Sequence, residues 1–326
     1  MSQSTTPSLK KQEDFSAHVE PHRRELLVHS YRMMGSLLDA EDMLQETLLR
    51  AWQKRDAFRG SGTLRSWLYR IATNVCLDTL DKQKAPARSL KHADFPPADP
   101  SLPFSPPVSD PVWLEPFPDA WLPADEDSPE VRYSQQESIR LAFLTALQQL
   151  APRQRAVLLL RDVLGWQAAE VAEFLGDSVS SVNSALYRAR QVLDAELSTD
   201  PGKSKTPEEE LNSLLERYMN AWQNADVEAF TSLLREDAFF TMPPSSTWYE
   251  GRESIRQAAS NLLFLRAGLW QLEPINLNSQ PGFQLLQRTE GGKYVPFALM
   301  VLDVLAGEIR SITVFTDPQI LTIPRS

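Results

Sequence analysis

A chain of 326 residues with 42% hydrophobic and 23% charged residues has the make-up of a soluble protein, long enough for two or three small domains. Its single cysteine, Cys76, excludes a disulfide-built scaffold and points to a reducing compartment, so a cytoplasmic location is expected. The formal net charge of −10 argues against tight binding to bare nucleic acid, yet the charge is unevenly spread. Residues 1–92 carry 15 Lys and Arg against 11 Asp and Glu, a net of +4, whereas residues 93–136 carry 1 against 9, a net of −8. A field of this kind suits a protein that binds DNA only when a partner holds it there. The first residues, MSQSTTPSLKKQEDF, have no apolar core, so no signal peptide is expected. The longest apolar run, FALMVLDVLAG, is short and contains Asp303, so no membrane partner is expected either.

From Ser16 to about Lys84 the pattern is helical. Leu26, Leu27, Tyr31, Met33 and Met34 begin one apolar face, and Ala40, Met43, Leu44, Thr47, Leu48 and Trp52 recur at i, i+3, i+4 spacing. Gly60-Ser61-Gly62 reads as a loop, and Thr63 as the N-cap of a helix through Leu80. Residues 86–129 hold 12 of the 24 prolines, which excludes a helix or central strand and predicts an extended linker. That linker carries Val112, Trp113, Leu114, Phe117, Trp121 and Leu122 close together, more large apolar groups than a solvated linker needs, so docking on another domain is expected. Residues 131–197 are helical again. Pro152 opens one helix, a second ends at Gly176, and a third is capped by Ser178 and runs to about Leu197, so the last two form a helix-turn-helix. After the polar stretch 198–206 the pattern changes class. Helices are predicted at 207–223, 226–235 and 252–265, and strands at 284–288, 295–305 and 309–315, an α+β domain.

Three segments carry candidate chemistry. In DAEDMLQETLLRAW, Asp39, Asp42 and Glu46 share a helix face with Gln45 beside them; alone, this reads equally as a solvated acidic helix start. In FRGSGTLRSWLYRIATNVCLDTLDKQK, Arg65, Trp67, Arg70, Asn74 and Asp78 mix cations, an aromatic and an amide at helical spacing, as single-stranded DNA binding requires; the plainer alternative is a helix with Trp67 in the core and solvated arginines. In the helix-turn-helix, Ser180, Ser181, Asn183 and Ser184 open the second helix, and Tyr187, Arg188 and Arg190 follow. Such a small, polar start suits base edges and phosphates better than the inside of a bundle.

Together these segments resemble the extracytoplasmic-function (ECF) sigma-70 factors, over about residues 16–85 and 137–197. DAEDMLQETLLRAW is similar to region 2.2, which implies that Asp39, Asp42, Gln45 and Glu46 contact the β′ coiled coil of core RNA polymerase. FRGSGTLRSWLYRIATNVCLD is similar to regions 2.3 and 2.4, which places Arg65, Trp67, Arg70, Asn74 and Asp78 at the −10 promoter element. LQQLAPRQRAVLLLRDVLGWQAAEVAEFL and SSVNSALYRAR are similar to region 4, which binds the β flap; Ser180, Ser181, Asn183, Ser184, Tyr187, Arg188 and Arg190 then face the −35 element of promoter DNA. The chain departs from the commoner pattern in carrying Lys82 and Lys84 where arginines cluster, and in having little positive charge early in the −35 helix. Both departures imply that DNA affinity leans on the polymerase. WLEPFPDAWLP resembles a linker motif of ECF factors with a C-terminal extension.

The segment from Glu210 onward resembles a SnoaL-like domain, a cone with a curved sheet around a pocket. None of the four histidines and no cysteine falls in it, so acid/base work would fall to Asp237, Glu250, Asp303, Asp317 or Tyr249; such carboxylates are more often surface residues or caps, fold alone does not supply catalysis, and no enzyme activity, metal or cofactor is expected. Phe239, Phe240, Met242, Trp248 and Trp270 are either lining for a small ligand or simply core. The expected architecture is therefore multidomain: two all-α sigma domains at 16–90 and 136–198, an acidic Pro-rich linker at 91–135, and an α+β SnoaL-like cone with a curved sheet at 207–318 that regulates them. A plain helix-turn-helix repressor and an enzyme with a fused regulatory module are the competing classes.

Overall fold

The computed structural model describes residues 12–58, 63–83, 88–90, 95–109, 112–123, 136–197 and 206–322. The expected Gly60–Gly62 loop, Lys84 and the most acidic part of the linker, residues 124–135, lie outside them. The chain divides into two compact units, one of residues 1–88 and 121–197, the other of residues 89–120 and 198–326.

The first unit is helical: α1 Gln12–Val19, α2 Arg23–Met34, α3 Leu37–Gln53, α4 Leu64–Gln83, α5 Leu141–Gln148, α6 Pro152–Leu158, α7 Ala168–Leu175 and α8 Val179–Leu197. Local chemistry sets its breaks. Gly35 ends α2 in the left-handed conformation (φ 73°), and the next residue, Ser36, caps α3 by accepting from Asp39 N at 3.0 Å. Thr63 Oγ1 accepts from Ser66 N at 3.1 Å at the start of α4, and Pro152 occupies the first turn of α6. Leu26, Tyr31, Met33, Leu37, Ala40 and Leu68 are fully or nearly fully buried, so the apolar stripes of α2, α3 and α4 meet in one core.

Two buried arginines join the early helices to the later ones. Arg32 donates to Ser138 O and, at 2.7 Å, to Ser138 Oγ. Arg155 places its guanidinium among carbonyls at two helix ends. It donates to Leu147 O (3.1 Å) and Gln148 O (3.1 Å) at the end of α5, to Leu150 O (3.2 Å) just past it, and to Met33 O at the end of α2. Burial lowers its pKa only to about 10, so it stays charged at neutral pH, where the negative ends of two helix dipoles favour a cation.

The second unit contains α9 Glu208–Asn224, α10 Val227–Thr231, α11 Arg252–Ala258 and six strands: β1 Leu234–Thr241, β2 Trp248–Glu250, β3 Trp270–Leu277, β4 Gln280–Arg288, β5 Tyr294–Leu305 and β6 Glu308–Phe315. They form one open sheet in the order β2-β1-β6-β5-β4-β3, parallel only between β1 and β6. Register shifts at Leu234/Phe239, Leu285/Leu286 and Asp303/Val304 bend the strands, which curves the sheet around the helices as a SnoaL-like domain requires.

The strand expectation was incomplete. The helix expected at 226–235 stops at Thr231, because Leu234–Thr241 pairs with β6 and turns Ala238 and Phe240 into the core. β3 was not expected: Pro274 breaks its strand pattern, and the sheet tolerates it because β3 is an edge strand. β4 begins four residues before its expected start, and Gly282 explains how. A Cβ there would lie 2.1 Å from Met300 O, so only glycine lets β4 and β5 approach. The Gly282→Ala variant is expected to destabilise the C-terminal unit by about 1–3 kcal/mol, read as a lowered thermal midpoint by calorimetry.

Candidate nucleic-acid interface

The proposed polymerase contacts on α3 divide by environment. Asp42 and Gln45 are exposed, whereas Asp39 is paired with Arg88 at 2.6 Å and Glu46 with Arg50 at 2.6 Å. Arg50 also binds Asp78 of α4 at 2.8 Å, so Glu46 and Asp78 flank one cation. One turn beyond Gln45 the face carries Leu49, 51% exposed, which the apolar stripe read from sequence did not include. Its signal was present in the spacing: i+4 from Gln45 and i+7 from Asp42 set it outside the core stripe.

The −10 candidates on α4 are not equally available. Arg65 pairs with Glu25 at 2.7 Å and lies over the Tyr69 ring, and Tyr69 donates its hydroxyl to the same carboxylate. Burial pushes the Glu25 carboxyl up, but hydrogen bonds from His22 and Arg65 outweigh it and hold the group below its ordinary value. Trp67 is half-buried and packs against Phe58 with ring centroids 5.3 Å apart. Asn74 is exposed. Arg70 faces the helix-turn-helix, with its guanidinium 5.8 Å from the Trp166 ring and 5.9 Å from Phe174.

In the helix-turn-helix, α7 starts with Gln167 and Glu170 capping each other and ends at Gly176 with φ 64°. Ser178 Oγ then accepts from Ser181 N at 3.1 Å, which starts α8. Val182, Leu186, Ala189 and Leu193 form the buried stripe of α8. On the opposite side Val179, Ser180, Asn183, Ser184, Tyr187 and Arg188 line one shallow, open depression. Arg190 lies off this depression, held by both oxygens of Asp162 at 2.7 and 2.8 Å, and Ser181 is half-buried. So five of the seven −35 candidates share one surface.

The linker segment before α5 is built into the second unit as an extended strap. Trp248 donates its indole N–H to Phe95 O at 3.0 Å, Ser105 N donates to Thr247 Oγ1 at 2.8 Å, and Val108 N donates to Pro244 O at 2.8 Å. At its far end the strap clasps the β3–β4 turn. Phe117 N donates to Asn278 Oδ1 at 2.9 Å, Asn278 N donates to Phe117 O at 2.8 Å, and Ser279 N donates to Asp119 Oδ1 at 2.8 Å. Leu114 and Phe117 are buried. The Asp119 carboxyl is raised to about 6 by burial, a shift opposed by the hydrogen bond from Ser279.

The candidate pocket residues sit in this unit's packing. Phe240, Met242 and Trp270 belong to the core cluster, and Phe239 is half-buried against Trp248 with ring centroids 6.3 Å apart. The inside of the cone is filled by aromatic side chains: Tyr218 stacks on Phe283 at 5.4 Å, and Trp222 packs edge-on against Phe230, Phe264 and Trp270. Among the described residues, no helix is long and apolar enough to cross a membrane.

Comparison with known proteins identifies the segments that carry these residues. Residues 18–85 match the family model of Sigma-70 region 2, and residues 140–193 match that of Sigma-70, region 4. The chain is 43% identical over 316 residues to the ECF RNA polymerase sigma factor SigG of Mycobacterium tuberculosis, covering 95% of this chain and 83% of that one. It is 29% identical over 228 residues to SigJ of the same organism, covering 68% and 62%. The crystal structure of SigJ superposes with a TM-score of 0.59 at 22% identity, covering 95% of this chain and 99% of that one, so the fold is shared along almost the whole length.

The clasp has a pH signature. A carboxyl whose value rises from 3.8 free to about 6 when buried binds its proton more tightly in the docked strap, so acidification strengthens docking between about pH 6 and pH 4 and alkalinity above pH 6 adds nothing further. The thermal midpoint of the wild type is expected to rise relative to Asp119→Asn as pH is lowered from 7.5 to 5.

Proposed function

The chain belongs to the ECF RNA polymerase sigma factors, and on that premise we propose that its SnoaL-like domain restrains promoter recognition by holding the segment that joins region 2 to region 4. Sigma factors bind core RNA polymerase and promoter DNA. In this reading region 2 docks on the β′ coiled coil through the Asp42–Gln45 face and opens the −10 element with the outer face of α4. Region 4 binds the β flap and reads the −35 element with the depression on α8.

The observation that carries the regulatory part is the strap. The connection between the two DNA-reading modules belongs to the C-terminal unit, bonded through Phe95, Ser105, Val108, Phe117 and Asp119. Two modules that must reach separate promoter elements need a connection free to extend. A connection fixed to a third domain stabilises whichever arrangement the docked strap allows. The approach of the Arg70 guanidinium to the Trp166 and Phe174 rings favours the same view, because region 4 there lies over a cation of the −10 helix. The aromatic filling of the cone favours control through the strap over control by a small ligand inside it. A ligand would shift the balance only by binding the docked and released states unequally.

The test is run-off transcription by core RNA polymerase with the full-length chain, on promoter DNA selected by the holoenzyme. Releasing the strap with Phe117→Ala or Asn278→Ala is expected to raise initiation, about tenfold for each 1.4 kcal/mol of docking energy removed. A fall in initiation by well-folded variants would show that docking assists the factor and overturn the restraint. Absence of initiation by the folded wild type would overturn the promoter-directing role itself.

A further inference from the structure

The −35 depression contains a side chain that neither charge nor capping explains. Val179 is the first residue of α8 and is 45% exposed, and it is the one aliphatic group among the six that line the depression. The first turn of a helix favours Asp or Glu, which its dipole attracts, and a β-branched residue gains nothing there from helix propensity. Core packing does not account for Val179 either, since the buried stripe of α8 starts at Val182. A lone exposed aliphatic group on an ordinary surface calls for no reason. Here the neighbours are Ser180, Asn183, Ser184, Tyr187 and Arg188, on the face and at the helix end that meet base edges in a helix-turn-helix.

Resting on the reading of α8 as the −35 helix, we propose that Val179 is a specificity-determining residue that packs on the C5-methyl of a thymine, with Asn183 reading an adenine close by. The thymine methyl is the apolar group that base edges display in the major groove, and an amide side chain matches the N6 donor and N7 acceptor of adenine. Val179 and Asn183 stand one turn apart, ~6 Å along the helix, about two base-pair steps. The depression has no cation before Arg188, so its N-terminal half lacks the side chains that read guanine. The Ser178 hydroxyl, bonded to Ser181 N, fixes this first turn, and a valine in a helix keeps one dominant χ1 rotamer, so its methyl groups are held rather than sampled.

The experiment removes one methyl group at a time. Full-length protein is assembled with core RNA polymerase on its selected promoter, and each thymine of the −35 element is replaced singly by deoxyuridine. At one position the wild-type holoenzyme is expected to lose about fourfold in promoter affinity, the contribution of one buried methyl group. Val179→Ala, a change at an exposed helical site that leaves the core untouched, is expected to lose about the same on the natural promoter and to be indifferent to deoxyuridine at that position. In parallel, 7-deazaadenine at an adenine within two steps is expected to weaken the wild type but not Asn183→Ala. Indifference of the wild type to deoxyuridine at every −35 thymine overturns the inference, as does equal sensitivity in Val179→Ala. Either result can occur while initiation remains intact. Failure of the folded holoenzyme to initiate at all strikes instead at the reading of α8 on which the inference rests.

Discussion

The first unit depends on a cation that has no business in an apolar interior except through its partners. Arg155 is 3% exposed, and its donors are taken up by carbonyls of Met33, Leu147, Gln148 and Leu150. Helix ends leave carbonyls without intrahelical partners, and burying them bare would cost about 1–3 kcal/mol each. One guanidinium satisfies both ends at once, because its fork carries five N–H donors in a fixed plane. The result ties α2, α5 and the start of α6 together without a single carboxylate. A lysine would supply three donors from one point and leave part of the set unsatisfied.

How far the fold could be read from sequence followed from how local its causes are. The start of α4, the end of α7 and the start of α8 are marked by Thr63, Gly176 and Ser178, residues whose effect is decided within a few positions. β5 and β6 announced themselves through long apolar runs. β1 and β3 did not. Leu234–Thr241 is a strand because β6 lies beside it, and its first residues, LRED, would suit a helix equally. β3 contains Pro274, which becomes acceptable only once the strand has an unpaired side. The bonding of the strap to the Asn278–Ser279 turn is longer in range still, spanning about 160 residues; the sequence showed a cluster of aromatic groups in need of cover, with nothing to say where the cover was.

The interface was legible as a set of residue types, less so as a set of available groups. Spacing placed Asp39, Asp42, Gln45 and Glu46 together, but Arg88, from beyond α4, engages Asp39, and Arg50, one turn on in α3 itself, engages Glu46. Arg65 and Asp78 are likewise committed to Glu25 and Arg50. The pairs Asp39–Arg88, Glu25–Arg65 and Arg50–Asp78 are long in range and leave no periodic trace, whereas Glu46–Arg50 is an i, i+4 pair that helix spacing allows. The exposed members that remain on α3 and α8 are uncharged or singly charged, which agrees with a chain whose net charge of −10 gives it little long-range pull on a polyanion. The large apolar groups exposed on these two helices are Leu49 on α3 and Tyr187 and Val179 on α8, and in the proposed function recognition there rests on shape and on such short-range groups.

The strap and the domain that clasps it are parts of one polypeptide. Their association is unimolecular, so its equilibrium constant is a pure number, fixed by linker length and contact quality and untouched by dilution or by how many copies a cell makes. A clamp supplied by a second protein would have to be expressed in step with its target, and chance excess of either would change the output. Here the ratio is one to one in every molecule. On the proposed mechanism, the fraction of chains with the strap released is a property of the sequence, and anything that alters it must act on the molecule rather than on its abundance.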